Sequence, residues 1–264
     1  MNSIENIILQ HSARGMDVLR EYLPADFCTD AAKTVLGWER GTVLVTTGFY
    51  VAGVCETDGP PGTLFVCRAL KSCGFEPIVV TDEICCGYFE EFGISTFYVD
   101  KNADDQVFED ILRAYAPVGL ISIERCGKNV KGDYANMRGV SIAEHTAPID
   151  RMFDLAQCPT VGIGDGGNEI GMGNLKDVIE SKLSLVPCRT KVDKLIVAPV
   201  SNWGAMALGG AMGYLPSDSE HLEAYEACVR HGYVDGISKE VTLTEDGFDL
   251  SVGKALLEQL KGIK

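Results

Sequence analysis

Short β-branched runs recur along this chain with helical patterning between them, and that alternation restricts the possible folds more than any other property of the sequence. Thr42–Thr46, Pro77–Thr81, Thr96–Val99, Val118–Ile123, Val161–Ile163 and Lys194–Val200 read as strands. Between them Gly62–Cys73, Asp82–Glu91, Asp104–Tyr115, Pro148–Ala156, Leu175–Leu185 and Asn202–Met212 read as helices. Helices that intervene between successive strands act as crossovers, so the strands run parallel and both sheet faces are covered. The pattern predicts an α/β fold with a mostly parallel open sheet and helices on both faces, Rossmann-like in kind. Ile4, Ile7, Ile8, His11, Gly15, Leu19 and Leu23 mark one amphipathic helix, which with a second around Thr29–Trp38 forms an N-terminal helical cap. Helices near Ser219–Arg230 and Val252–Lys261 close the chain. No low-complexity linker or internal repeat divides it, so residues 1–264 read as a single domain.

Charge and cysteine usage narrow the partners and the compartment. A formal net charge of -15 leaves no basic surplus to displace phosphate counterions, which excludes nucleic acid and anionic membrane as expected partners. There is no run of 18 apolar residues, and the N-terminal segment lacks the basic leader and unbroken apolar core of a signal peptide. The ten cysteines include the adjacent pair Cys85–Cys86 and no CxxC, a pattern that fits a reducing cytoplasm better than a disulfide framework. A small molecule is the expected partner, and oligomeric state is not encoded in any recognisable pattern.

Val161–Asn174, VGIGDGGNEIGMGN, places six glycines around Asp165, Asn168 and Glu169. Such density lets the backbone approach a ligand closely, as a core segment filled by side chains would not. It does not match GxGxxG cleanly, no acid follows about 20 residues later on the next strand, and Asp165 and Glu169 would repel a pyrophosphate. No nucleotide cofactor is therefore expected.

In open parallel sheets, ligands bind beyond the carboxyl ends of the strands, and the polar clusters fall there. Thr42–Thr46 leads to Glu56 and Asp58; Val118–Ile123 leads to Glu124, Arg125, Lys128 and Arg138. Val161–Ile163 leads to Asp165, Asn168 and Glu169, and Lys194–Val200 leads to Ser201 and Asn202. Clustered carboxylates either shift one another's proton affinity, giving general acids and bases, or hold a divalent cation such as Mg²⁺ or Mn²⁺ through oxygen. Spacing alone leaves both open. Glu56, Asp58 and Asp165 are the candidate metal ligands. Arg125 and Arg138 offer guanidinium forks for a substrate carboxylate, with pairing to neighbouring acids as the alternative. Ser201 and Asn202 open a helix, where free N–H groups suit a cap or a carboxylate. Cys126 with His145 as base is a further arrangement to weigh against a buried, inert thiol.

ETDGPPG at Glu56–Gly62, IERCGKN at Ile123–Asn129, GDYANMRG at Gly132–Gly139, GIGDGGNEIGMGN at Gly162–Asn174 and SNWGA at Ser201–Ala205 resemble the D-glutamate cyclase family from about residue 10 to the end. Longer members of that family carry an additional N-terminal hydro-lyase-like domain that this sequence does not contain. The resemblance implies a lyase that dehydrates D-glutamate to 5-oxo-D-proline. In its terms Asp165, Glu169 and Glu124 are the candidate catalytic acids, with Glu124 and Asp58 also open to metal or amine binding. Arg125, Arg138, Asn168, Gly166, Gly167, Ser201 and Asn202 are the candidate substrate contacts. A non-catalytic binding module for an acidic amino acid, a cysteine-dependent enzyme and a metal-dependent hydrolase are the rival expectations.

Overall fold

The computed structural model describes residues 3–12 and 14–263. Six parallel strands form the central sheet: β1 Thr42–Thr46, β2 Glu76–Thr81, β3 Ser95–Tyr98, β4 Gly119–Ile123, β5 Thr160–Gly164 and β6 Lys194–Val197, in the spatial order β3-β2-β1-β4-β5-β6. This is an α/β fold of Rossmann-like topology. The order reverses between β1 and β4, so connections leave those strands in opposite directions and open a crevice at their carboxyl ends. Every residue of β4 and β5 is buried, whichever face it points to, as a sheet covered on both sides requires.

One helical layer comprises α1 Phe27–Leu36, α2 Pro60–Ser72, α3 Ser201–Ala211, α4 Asp218–Arg230 and α5 Leu250–Lys261, in which α1, α2 and α5 pack on α3 and α4 packs on α2. Small residues allow the close approach: a Cβ on Gly62 would lie 2.7 Å from that of Ala205, and one on Gly204 would lie 2.7 Å from Ile163. A separate pair, Asp105–Tyr115 and Asp150–Leu155, packs together elsewhere.

Three helical expectations are corrected. The predicted N-terminal helix is two short ones, Ile4–Ile8 and Met16–Arg20, the second entered through Gly15 at φ 79°; residue 13 of that prediction lies outside the described residues. Gly87 at φ 86° likewise splits Asp82–Glu91 into a 3₁₀ turn at Glu83–Cys85 and a single helical turn at Tyr88–Glu91. Leu175–Leu185 becomes a 3₁₀ turn at Met172–Leu175, Lys176–Val178 and a π-helical turn at Ile179–Leu183 that ends on left-handed Ser184. A hairpin, Thr244–Glu245 with Phe248–Asp249, turns through Asp246-Gly247 with both φ angles positive, the backbone that the Asp-Gly pair favours. No helix among the described residues is long and apolar enough to cross a membrane.

Candidate active site

A cavity of about 330 Å³ opens at the β1/β4 crevice, and its deep end is acidic. Glu56 arrives from the segment after β1, Glu124 directly from the end of β4, Asp165 and Glu169 from the segment after β5, and Asp246 from the C-terminal hairpin. Apart from Asp246, each of these residues is at most 6% exposed.

The glycine segment folds around one of these acids. Glu169 Oε1 accepts the N–H of Gly166 at 2.7 Å and Oε2 that of Gly167 at 2.8 Å. A Cβ on Gly164 or Gly166 would meet the Glu169 carboxylate at 2.8 Å, and Gly167 holds φ at 90°, so this loop needs residues without side chains. Glu169 thereby fills the backbone cradle that a phosphate would otherwise use.

Asp58 sits beneath the cavity at the N-terminus of α3, accepting the N–H groups of Ser201 and Asn202 at 2.7 Å each. Asn202 accepts from the N–H groups of Gly59 and Gly62 and donates to the Thr57 carbonyl, the Tyr225 hydroxyl and Glu245. The Ser201 hydroxyl donates to Glu124, whose backbone holds φ at 46°. Glu245 also accepts from Trp203 Nε1 at 2.8 Å and from the Tyr225 hydroxyl.

So many buried acids raise one another's proton affinity. Burial, then the charges of Asp246 and Asp58, push Glu56 well above the usual carboxylate range. Burial followed by Glu169, Asp58 and Glu56 does the same for Glu124. Burial raises Asp58 despite its two backbone donors, and raises Glu169 despite the amides around it. Asp165 is pushed up by burial, against the opposing pull of Arg14, with Glu124 and Asp246 adding to the rise. Arg14 donates to Asp165 at 2.8 Å and pairs with Asp246 at 2.9 Å, and those two charges outweigh burial to hold it firmly protonated. Arg138 and Lys239 also line the cavity, and among the described residues neither forms an ion pair.

Residues 4–261 match the family described as D-glutamate cyclase-like, C-terminal. The chain belongs to that family. It is 28% identical to the human D-glutamate cyclase, mitochondrial, over 220 residues, 69% of this chain and 34% of that protein, so it spans about a third of the length of that relative. Solved structures with similarity include the Bordetella bronchiseptica enzyme WbmG in complex with NAD, at 13% identity and a TM-score of 0.33 over 66% of this chain and 49% of that one. Another is actinorhodin polyketide ketoreductase with NADPH, at 14% identity and a TM-score of 0.32 over 84% and 90%.

Of the residues singled out from the sequence of this cyclase-like chain, Glu56, Glu124, Asp165, Gly166, Asn168, Glu169 and Arg138 line the one cavity. Gly167, Ser201, Asn202 and Asp58 stand behind it, as donors to or partners of those residues. Arg125 is a correction. It is fully buried; Nη1 donates to the Gly48 carbonyl, and Nη2 donates to Asp82 at 2.6 Å and the Ala147 carbonyl. A guanidinium so occupied braces the loops after β1 and β2 and is not available to a substrate.

The carboxylate oxygens closest to one another also differ from the expected metal set. Asp58, Asp165 and Asp246 form one group and Glu124, Asp165 and Glu169 another, each within 4.8 Å, with Asp246 standing where Glu56 was expected. Cys126 and His145 do not form a catalytic pair: Cys126 is buried, its thiol pushed well up by burial, while His145 is exposed and stacks on Tyr50 with ring centroids 4.1 Å apart.

Arg14, Asp246 and Lys239 also line the cavity, and the sequence alone does not single them out. The Asp246-Gly247 pair was the one available signal, since Asp-Gly marks a hairpin turn. Nothing local to Arg14 or Lys239 points to a site at the other end of the chain.

Proposed function

We propose that this chain cyclises D-glutamate to 5-oxo-D-proline with loss of water. Family membership supports this reaction class, and one structural observation carries the reading: the cavity gathers carboxylates from four chain segments, while Arg138 and Lys239 in its lining are left without ion pairs among the described residues. A guest bearing one ammonium and two carboxylates complements that arrangement. The volume, about 330 Å³, lies at the small end of small-molecule sites and suits an amino acid.

The chemistry requires the substrate ammonium to lose two protons, the nitrogen to bond to the γ-carboxyl carbon, and one γ-oxygen to leave as water carrying both protons. Carboxyls whose proton affinity is raised by burial and by neighbouring carboxylates can take a proton in one step and return it in another. Asp165 and Glu169 are assigned to proton transfer and Glu124, oriented by the Ser201 hydroxyl, to holding the ammonium. Arg138 is assigned to the α-carboxylate. A divalent cation held among Asp58, Asp165 and Asp246 is compatible with their oxygen donors and would supply electrophilic polarisation of the γ-carboxyl.

The test is incubation of purified, EDTA-treated protein with D- and L-glutamate, with and without Mg²⁺ or Mn²⁺, followed by chromatography for the lactam. Lactam from D-glutamate is the expected result, and Asp165→Asn should lower turnover by about 10²-fold or more while leaving the far-ultraviolet spectrum unchanged. Calorimetric binding of D-glutamate with no lactam under any of these conditions would replace the enzyme reading with a binding module.

A further inference from the structure

Among the described residues six non-glycine positions hold φ in the left-handed region, and four of them, Ala52, Glu124, Lys239 and Asp246, line this one cavity. Side chains with a Cβ are disfavoured there, and Lys has none of the short polar side chain that eases the conformation for Asp. Such strain persists only where the surroundings over-determine it, and it gathers at functional sites.

Lys239 is held in this way at φ 62°. Its N–H donates to the Asp235 carbonyl at 2.8 Å, and Asp235 N–H donates to the Glu240 carbonyl at 2.9 Å. The Asp235 carboxylate gathers the N–H groups of Ile237 and Ser238 and, from the hairpin, Gly247. Asp235 is buried, yet these donors hold its carboxyl below the usual range. The same loop is anchored to the acidic wall, since Thr57 N–H donates to the Val234 carbonyl and Gly236 lies against Glu56 and Asp246. This braced loop therefore brings an exposed lysine to the cavity lining on a chain segment separate from that of Arg138, in a backbone conformation that glycine would adopt more easily.

We propose that Lys239 is the specificity-determining residue that receives the γ-carboxylate of a dicarboxylic amino acid in this cavity. The assignment rests on the D-glutamate reading, with the α-carboxylate on Arg138 and the ammonium toward the acids. A polyanion is disfavoured by the acidic interior, whereas a single carboxylate at its lining is matched by one ammonium group.

Lys239→Gly and Lys239→Met separate this role from a structural one. Lys239→Gly removes the left-handed strain along with the charge, so its melting temperature should equal or exceed that of the parent. Both variants should bind D-glutamate about 10- to 100-fold more weakly by calorimetry, the loss expected for one charge-assisted hydrogen bond. D-glutamine, which carries an amide at the γ-position, should bind parent and Lys239→Met within about twofold of each other, and Lys239→Arg should restore D-glutamate binding to within a few-fold.

Equal affinity of parent and Lys239→Met for D-glutamate, or an equal loss for D-glutamate and D-glutamine, overturns the assignment. A parent that binds D-glutamate but forms no lactam overturns the cyclase reading alone, and the affinities still decide the lysine. A parent that binds neither D-glutamate nor glutarate overturns both.

Discussion

Arg14 donates to Asp165 at 2.8 Å across 151 positions of sequence. Its other terminal nitrogen pairs with Asp246 at 2.9 Å, so one guanidinium fastens the C-terminal hairpin to the glycine segment after β5. Arg14 is 16% exposed in its side chain and the two acids 2% and 4%, so water screens these pairs poorly.

Removing that cation leaves two buried carboxylates facing one another. Arg14→Met should lower stability by roughly 3 kcal/mol, the cost of breaking a mostly buried pair from one side, and should depress turnover as well. Because Asp165 shares the contact, the Arg14→Met/Asp165→Asn double variant should be less destabilised than the two losses summed. Additive urea-unfolding energies would rule out the coupling.

Arg125 has a different expected phenotype. Its guanidinium donates to Asp82 and to the Gly48 and Ala147 carbonyls without reaching the cavity. Arg125→Met should cost about 3 to 5 kcal/mol in unfolding free energy, since Asp82 would remain buried without its partner. Under conditions where the variant stays folded, its Michaelis constant should stay near that of the parent, whereas Arg138→Met should raise it. The reverse ranking would return Arg125 to the substrate.

Glu245 gives a pH-dependent stability difference. Burial pushes its carboxyl up to about 6, against the donors Tyr225, Trp203 and Asn202. Its folded value exceeds its unfolded one, so its stabilising contribution is complete below about pH 4.5 and is lost as pH rises through about 6. The parent should therefore exceed Glu245→Gln in stability by more at pH 4.5 than at pH 7, by about 2 kcal/mol. Denaturant titrations at the two pH values test this; a constant gap would show that Glu245 does not titrate in that window.

Cys126→Ser should retain turnover. Its buried thiol is pushed away from the thiolate, chiefly by burial, and donates to the Gly127 and Ala135 carbonyls. Alkylation of the native protein should label exposed Cys86 first and leave lactam formation intact. Inactivation that tracks modification of Cys126 would reinstate the cysteine mechanism.

Much of the architecture was legible locally. Alternating β-branched and helical segments place all six strands to within a few residues, because the period of apolar residues is a property of neighbouring positions. The acids at strand ends were legible for the same reason: in a parallel sheet the segment after each strand emerges on one edge, so Glu56, Glu124, Asp165 and Glu169 share a cavity. The glycines around Asp165 marked a close backbone approach, although the group they approach is the protein's own Glu169.

Only the tertiary structure decided which charges balance those acids. Arg125 stands in sequence directly beside Glu124, yet its side chain turns away to Asp82, while Arg14 and Lys239 come in from opposite ends of the chain. Periodicity records which residues are buried and on which face, but an ion pair depends on distance in space. Here the helix break at Gly15 and the hairpin turn at Asp246-Gly247 bring Arg14 and Asp246 together although they stand more than two hundred positions apart.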